Sequence, residues 1–504
     1  MSLKKNVIAN YLGQGWTGLM SLAFIPLYIK YLGIESYGLI GLFAILQAWL
    51  VLLDMGMTPA LGREIARFNG GANDAQYVRN LLRSIEIVVL CIAILIAIGI
   101  WLASDWLASD WLKSEKLPTE VVAQAFVIMG IVTALRFIEG IYHACVIGLQ
   151  RQVQFNIINS STATLRAIGA IIVLIWISPT IIAFFIWQGI VSIITLTLMA
   201  STTYYNLPTS DYRSHFSLNI LKNVWRFAGS MTGITLLALL LTQTDKIILT
   251  KSLTLTEYGY YAIASTVAGA LYMLVMPINQ AWFPKLNELH ARNNNIDFIE
   301  KYHQGSQLIS VIMGSLAIIL AIFSENIIFI WTQNKEFTQH TSTLVSILTL
   351  GNLLNGLMWI PYQAQLAYGW THLAIWINII AVLIIVPSII LITPHYGAEG
   401  AAWVWVALNI GYVLVGIHFM HLKILQTEKW HWYKYDVIFP LGIGAIIAIL
   451  IKCITPIEHI SFPLQILFIG LTSCVIFISA SLAAPSIRRQ ILSLPWIKTL
   501  KIRT

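Results

Sequence analysis

The sequence predicts an all-α polytopic membrane protein with about 14 transmembrane helices, arranged as two pseudo-symmetric six-helix lobes plus two C-terminal helices. Three observations predict it. The 504-residue chain is 58% hydrophobic and only 10% charged, where soluble domains carry roughly 25% charged residues. Apolar runs of about one bilayer thickness recur along the whole chain. A short segment near the start repeats near the middle.

The apolar runs fall at 7–29, 39–60, 82–103, 120–142, 157–177, 181–203, 227–249, 258–282, 306–330, 341–367, 371–393, 399–421, 438–455 and 462–484. The first follows Lys4 and Lys5 without a small-residue cleavage site, so it reads as a retained helix and not a signal peptide. With the N-terminus in the cytoplasm, cytoplasmic segments hold 21 of the 30 basic residues and external segments 6. That asymmetry sets the orientation and puts both termini in the cytoplasm. The net charge of +8 therefore reflects topology and implies no nucleic-acid partner.

The lobes are delimited at residues 1–203 and 227–421, with a cytoplasmic linker over 204–226 and the last helix pair and basic tail over 422–504. The repeat supports this division. Lys30-Tyr-Leu-Gly-Ile-Glu-Ser-Tyr37-Gly38 and Lys251-Ser-Leu-Thr-Leu-Thr-Glu-Tyr258-Gly259 share Lys, Leu, Tyr and Gly at a constant offset of 221. Each is an external hairpin opening a set of six helices, so the repeats are parallel. The longest external loop, about 104–119, repeats Trp-Leu-Ala-Ser-Asp and reads as an interfacial segment anchored by tryptophans, or as an acidic strip contacting sugars or cations.

Cys91, Cys145, Cys453 and Cys474 sit in apolar runs and read as packing residues. The histidines lack metal-ligand spacing, no GxxxxGK[ST] phosphate loop occurs, and no paired-carboxylate or nucleophile constellation suggests an enzyme. Charges inside the spans are the stronger signal, because each costs a few kcal/mol unless it faces a cavity or a partner. Arg166, mid-span without an acidic neighbour, either lines a cavity and attracts an anion or bonds helix carbonyls. Arg136 has Glu139 one turn on, as an internal ion pair or a gating pair. Asp54 precedes Gly56 and Pro59, which can break the helix; it is a coupling-ion site or inter-lobe latch, or a cap or partner of Arg63. Asp245 is a candidate inter-lobe contact, and adjacent Lys246 is a cavity cation or a snorkelling lysine. Amides such as Gln47, Gln188, Gln280, Asn352, Asn355, Asn378 and Asn409 form either a lining suited to sugar hydroxyls or helix–helix hydrogen bonds.

Three stretches carry a family resemblance: Tyr31-Leu-Gly-Ile-Glu-Ser-Tyr-Gly38 continuing to Asp54-Met-Gly-Met-Thr-Pro-Ala-Leu-Gly-Arg-Glu-Ile-Ala66; Thr244-Asp-Lys-Ile-Ile-Leu249 with Tyr258-Gly-Tyr-Tyr261 and Pro284; and Tyr396-Gly-Ala-Glu-Gly-Ala-Ala402. In this order and spacing the chain resembles the polysaccharide exporters, O-antigen flippases in particular, of the superfamily that also holds multidrug extruders and lipid II flippases. Many members have 12 helices, so the last pair is a departure. The resemblance implies transport of undecaprenyl-diphosphate-linked oligosaccharide from the cytoplasmic to the periplasmic leaflet by alternating access, within membrane lipid and beside polysaccharide polymerase or chain-length machinery. It implies no cofactor, and leaves proton or cation coupling open. On this reading Arg166, Arg136 and Lys246 are the substrate-facing cations, and Asp54, Asp245 and Glu139 the gating or coupling residues. A cation-coupled multidrug exporter is the alternative.

Overall fold

A computed structural model of the chain describes residues 3–69, 74–207, 212–370, 372–455 and 461–493, with the side chains of 3–8, 51, 66, 69, 223–234 and 280 outside that description. The chain divides into two compact units, Met1–Ala262 and Ile263–Thr504. The described residues are mostly helical, with one isolated bridge between Lys113 and Thr254. Ten helices among them are long and apolar enough to cross a membrane, and Ile34–Leu50 is a shorter apolar helix. The expected count of 14 is not reached on that measure. One of the ten, His372–Lys423, holds two expected spans at once.

In the first unit, the Thr119–Gly148 helix lies between Ala75–Trp106 and Ile181–Asn206, and Leu3–Ala23 packs on Gln152–Trp176. In the second, Asn295–Ile322 is central and touches Leu271–Ala291, Lys335–Leu357, Phe439–Ile454 and Phe462–Ala483. Each unit has its own core, around Leu81, Ile85, Phe137 and Ile141 in the first and Tyr302, Ile309, Met313 and Trp432 in the second. Large apolar side chains such as Leu95, Leu102, Leu383 and Leu391 stand exposed. Monomers in water rarely present such continuous apolar surface, and a bilayer accommodates it.

Local chemistry explains where the expected boundaries move. The span expected over 39–60 stops at Leu53, and a second helix begins at Met57. Met55 and Gly56 between them take φ of 48° and 73°, the left-handed region where glycine is unstrained. The helix break anticipated at Gly56 and Pro59 therefore falls at Met55–Gly56, and Pro59 joins the next helix. The spans expected over 371–393 and 399–421 run almost without interruption. A kink at Gly397 (φ 56°, ψ −143°), three residues after Pro394, turns the chain instead of a loop. The expected external loop over 104–119 is mostly helical: Ala75–Trp106 continues into a π-helical turn over Leu107–Trp111. A π-turn bonds i to i+5, which matches the five-residue tryptophan repeat and brings the Trp106 and Trp111 rings to 5.6 Å. The Leu218–Ser252 helix begins inside the segment expected as a linker. Of the basic tail, residues 494–504 lie outside the described residues.

Candidate functional site

The first unit holds a basic cluster within its apolar helices. Arg136, on the Thr119–Gly148 helix, donates to Gln47 Oε1 (2.6 Å), Gln188 Oε1 (3.0 Å) and Ser192 Oγ (3.3 Å), and its guanidinium lies 5.0 Å from the Phe43 ring centre. Two neighbouring helices converge on it, so two of the expected amides serve the arginine and not a neutral lining. The expected Arg136–Glu139 ion pair is not what forms: Glu139 Oε1 meets His143 Nε2 at 2.8 Å. Residue i+3 shares a helix face, but Arg136 finds its acceptors on neighbouring helices.

Arg166 is the unsatisfied member. Its Nε is buried with no hydrogen-bond partner among the described residues. It lies within electrostatic range of Arg136, Glu139 and Tyr28, whose hydroxyl donates to the Ala167 carbonyl at 3.4 Å. Two guanidiniums in range of each other, with one donor unused, attract anions with several acceptor oxygens.

The other sequence-predicted residues have partners of their own. Asp54 caps the Met57–Asn69 helix: both its oxygens accept from Thr58 N at 3.1 Å, and Oδ1 accepts from Thr58 Oγ at 2.5 Å. Arg63, its alternative partner, bonds Glu64. Asp245 Oδ2 accepts from the Tyr261 hydroxyl at 2.6 Å, while its Oδ1 is buried without a hydrogen-bond partner among the described residues. Lys246 Nζ donates to the Thr242 carbonyl at 2.8 Å and to Gln243 Oε1 at 3.3 Å, all on its own helix.

The two repeated hairpins meet inside the first unit. A Cβ on Gly38 would lie 2.6 Å from the Leu255 carbonyl oxygen, and one on Gly259 would lie 2.5 Å from that of Ile34. Ile34 and Leu255 are themselves 221 apart, so the contact is reciprocal, as across a two-fold axis. Beside it, Glu35 accepts from the backbone N–H groups of Glu115 (2.6 Å) and Lys116 (2.8 Å), and Leu255 N donates to the Lys113 carbonyl at 2.9 Å. The end of the tryptophan repeat is thereby tied to both hairpins.

The second unit carries the amide and aromatic surface. Asn355 Nδ2 donates to Asn409 Oδ1 (2.9 Å), Tyr272 donates to Asn352 and Asn355, and Tyr412 donates to Asn378 (3.0 Å). The Tyr272 and Trp359 rings stack at 5.5 Å. A cavity of about 200 Å³ opens here, lined by Asn355, Trp359, Tyr362, Gln365, Asn378 and Tyr412 among others. The side chain of Gln280 lies outside the described residues.

Two further charged networks carry no sequence signal. Glu86 accepts from the hydroxyls of Tyr142 (2.9 Å) and Tyr204 (2.5 Å), and from Arg83 at 3.3 Å. In the second unit, His303 Nδ1 faces Asp436 Oδ2 at 2.5 Å and Nε2 faces Glu428 Oε2 at 3.0 Å. Partial burial works against the Glu428 charge, yet hydrogen bonds from Thr427 and His303 hold its carboxyl below its ordinary value. Spacings of 125 and 133 residues hide this network from any local motif.

Comparison with known proteins fits this geometry. A Shigella flexneri protein named as a candidate O-antigen transporter is 21% identical over 406 residues, covering 80% of this chain and 94% of that protein. Among solved structures, the lipid II flippase MurJ in an inward closed conformation superposes with a TM-score of 0.68 at 15% identity, over 94% of this chain and 97% of MurJ. An inward-facing multidrug resistance MATE family transporter gives 0.67 at 15% identity, over 82% and 96%. At these identities the solved structures establish the fold. The relatives are transporters and a flippase, not enzymes. The family described as "Polysaccharide biosynthesis protein" matches residues 3–290, more than half of the sequence, and this multi-pass membrane protein belongs to it.

Proposed function

We propose that the protein is a flippase for an oligosaccharide carried on undecaprenyl diphosphate, moving the head group from the cytoplasmic to the periplasmic leaflet of a bacterial inner membrane. The observation that carries the reading is the buried, unpartnered Nε of Arg166 in range of Arg136. A diphosphate supplies the acceptor Arg166 lacks, with charge-assisted bonds worth roughly 1.5–3 kcal/mol each. The amide and aromatic surface around Asn355 and Trp359 suits sugar hydroxyls and ring faces. The polyprenyl tail stays in lipid while the head group crosses by alternating access of the repeated halves. Both termini are cytoplasmic, as the basic residues indicate. Outward movement of a charge of about −2 from a negative interior gains about 4–5 kcal/mol per 100 mV, so membrane potential alone can drive the step. Proton or cation exchange at Asp54 or Asp245 would add to it. On this reading the Gly38–Gly259 contact closes the periplasmic end, and the product passes to the polymerase and chain-length machinery.

The test is the sidedness of the lipid-linked oligosaccharide in a deletion strain, read as accessibility of the glycan to an enzyme added outside spheroplasts. Accumulated but protected repeat units, made accessible by the restored gene, support the reading. Unchanged accessibility overturns it, and gain or loss of resistance to cationic drugs in the same strains then supports the multidrug alternative.

A further inference from the structure

We propose that His303, His431 and Asp436 form a binding site for a divalent transition-metal ion of the zinc class. One ligand atom from each lies within 4.8 Å of the others. The His303 and His431 rings are 4.4 Å apart at 57°, and His303 Nδ1 is already against Asp436 Oδ2. A tetrahedral ion with bonds of about 2.0–2.1 Å places its ligands roughly 3.3 Å apart. Closing the remaining distance falls to His431, whose side chain is exposed while His303 and Asp436 are buried.

The backbone makes the set possible. His431 and Asp436 are five residues apart, which on an α-helix is about 140° of rotation and puts them on different faces. The chain over Trp432–Ile438 is π-helical, a wider turn that brings i and i+5 towards one face. Such turns recur at functional positions.

The surrounding bonds are those a metal site uses. Ligating imidazoles donate their second N–H to a carboxylate, which fixes the tautomer and raises ligand basicity. Glu428 stands at His303 Nε2 for that role, leaving Nδ1 for the ion. Asp436 Oδ1 accepts from Gln307 Nε2 at 2.7 Å, and Gln307 Oε1 accepts from Ser486 N at 2.7 Å, so the carboxylate is held with Oδ2 towards the imidazoles. Binding at Nδ1 displaces the proton that otherwise lies between His303 and Asp436. Two imidazoles and a carboxylate with an exposed fourth side are a borderline donor set, suited to Zn²⁺ and not to Mg²⁺ or Ca²⁺. The site would clamp the helix pair beyond the six-helix repeats to the central Asn295–Ile322 helix.

The test is Zn²⁺ uptake by the purified full-length chain in detergent, its affinity tag removed, by equilibrium dialysis with elemental analysis. Wild type is expected to hold one more tightly bound ion per chain than His431→Ala, and Glu428→Gln is expected to weaken that ion about 10–100-fold. His431 is exposed, so its truncation opens no cavity; a gel-filtration profile checks folding, and the absorption of the Co²⁺-loaded wild type reports four-coordination without any variant. Equal uptake by wild type and His431→Ala, or six-coordinate Co²⁺, overturns the site and leaves the cluster a hydrogen-bonded latch.

Discussion

Two clusters of buried charge, one in each unit, are built on opposite principles. Around Arg136 and Arg166 the positive groups outnumber the acids, Glu139 turns to His143, and a donor is left over. Around His303 both ring nitrogens face carboxylates, and Asp436 has a partner on each oxygen. Among the described residues the first cluster leaves the Arg166 Nε donor unused. In the second, His303, Gln307 and Asp436 bond one another within the chain, with His431 exposed on the remaining side. An unpartnered buried charge is costly to keep, so the first cluster is where an anion would act. The second is where removal of a buried member should damage folding.

That contrast gives the largest expected effect. Asp436→Ala leaves His303 and Gln307 without their shared acceptor, and breaking a buried pair costs about 3–5 kcal/mol. Thermal unfolding in detergent should fall accordingly, while the transport activity of whatever folds persists. Full stability in Asp436→Ala would mean that these bonds do not hold the second cluster. Arg166→Ala should do the reverse. Loss of one charge-assisted contact of about 1.5–3 kcal/mol reduces externally accessible glycan roughly 10–100-fold, with little change in unfolding temperature. Arg166→Lys should recover part of the export, since an ammonium supplies charge without the fork. Unimpaired export in Arg166→Ala would move the anion site away from this cluster.

Arg136 lies between these extremes and sharpens the comparison. Arg136→Ala strands the Gln47 and Gln188 carbonyls, at about 1–3 kcal/mol each for an unsatisfied buried group. It should lower stability and export together, where Arg166→Ala lowers export alone. The hairpins offer an internal control. Gly38→Ala and Gly259→Ala place a Cβ at 2.6 and 2.5 Å from reciprocal carbonyl oxygens. The two should impair export by similar factors, and one silent substitution would show that the contact is not symmetric in its energetics.

The sequence exposed one cluster and hid the other for a physical reason. A lone arginine in an apolar run stands out because of its transfer cost, so Arg136 and Arg166 could be picked out singly. Their partners could not, because Gln47, Gln188 and Ser192 come from other helices and only packing brings them in. His303 and Asp436 sit near span ends, where polar residues are common and carry no signal. The offset of 221 was readable as sequence, but the glycine contact between the hairpins needed backbone distances. Expected helix boundaries failed where the chain used a left-handed pair at Met55–Gly56, a π-turn at Leu107–Trp111 or a single kink at Gly397. None of these has a period that hydropathy detects.

Lys246 gives the smallest expected effect and the cleanest separation from Arg166. In the sequence the two are alike: each is a cation in an apolar span. Among the described residues Lys246 bonds the Thr242 carbonyl and Gln243 of its own helix, whereas Arg166 keeps a buried donor without an acceptor. A long side chain that settles onto its own helix contributes little specific energy, and such substitutions usually fall within about 0.5 kcal/mol. Lys246→Gln should therefore leave both unfolding temperature and glycan accessibility near wild type. A loss of export as large as that of Arg166→Ala would show that charge anywhere in the spans drives transport, and that the unpaired geometry at Arg166 is not what matters.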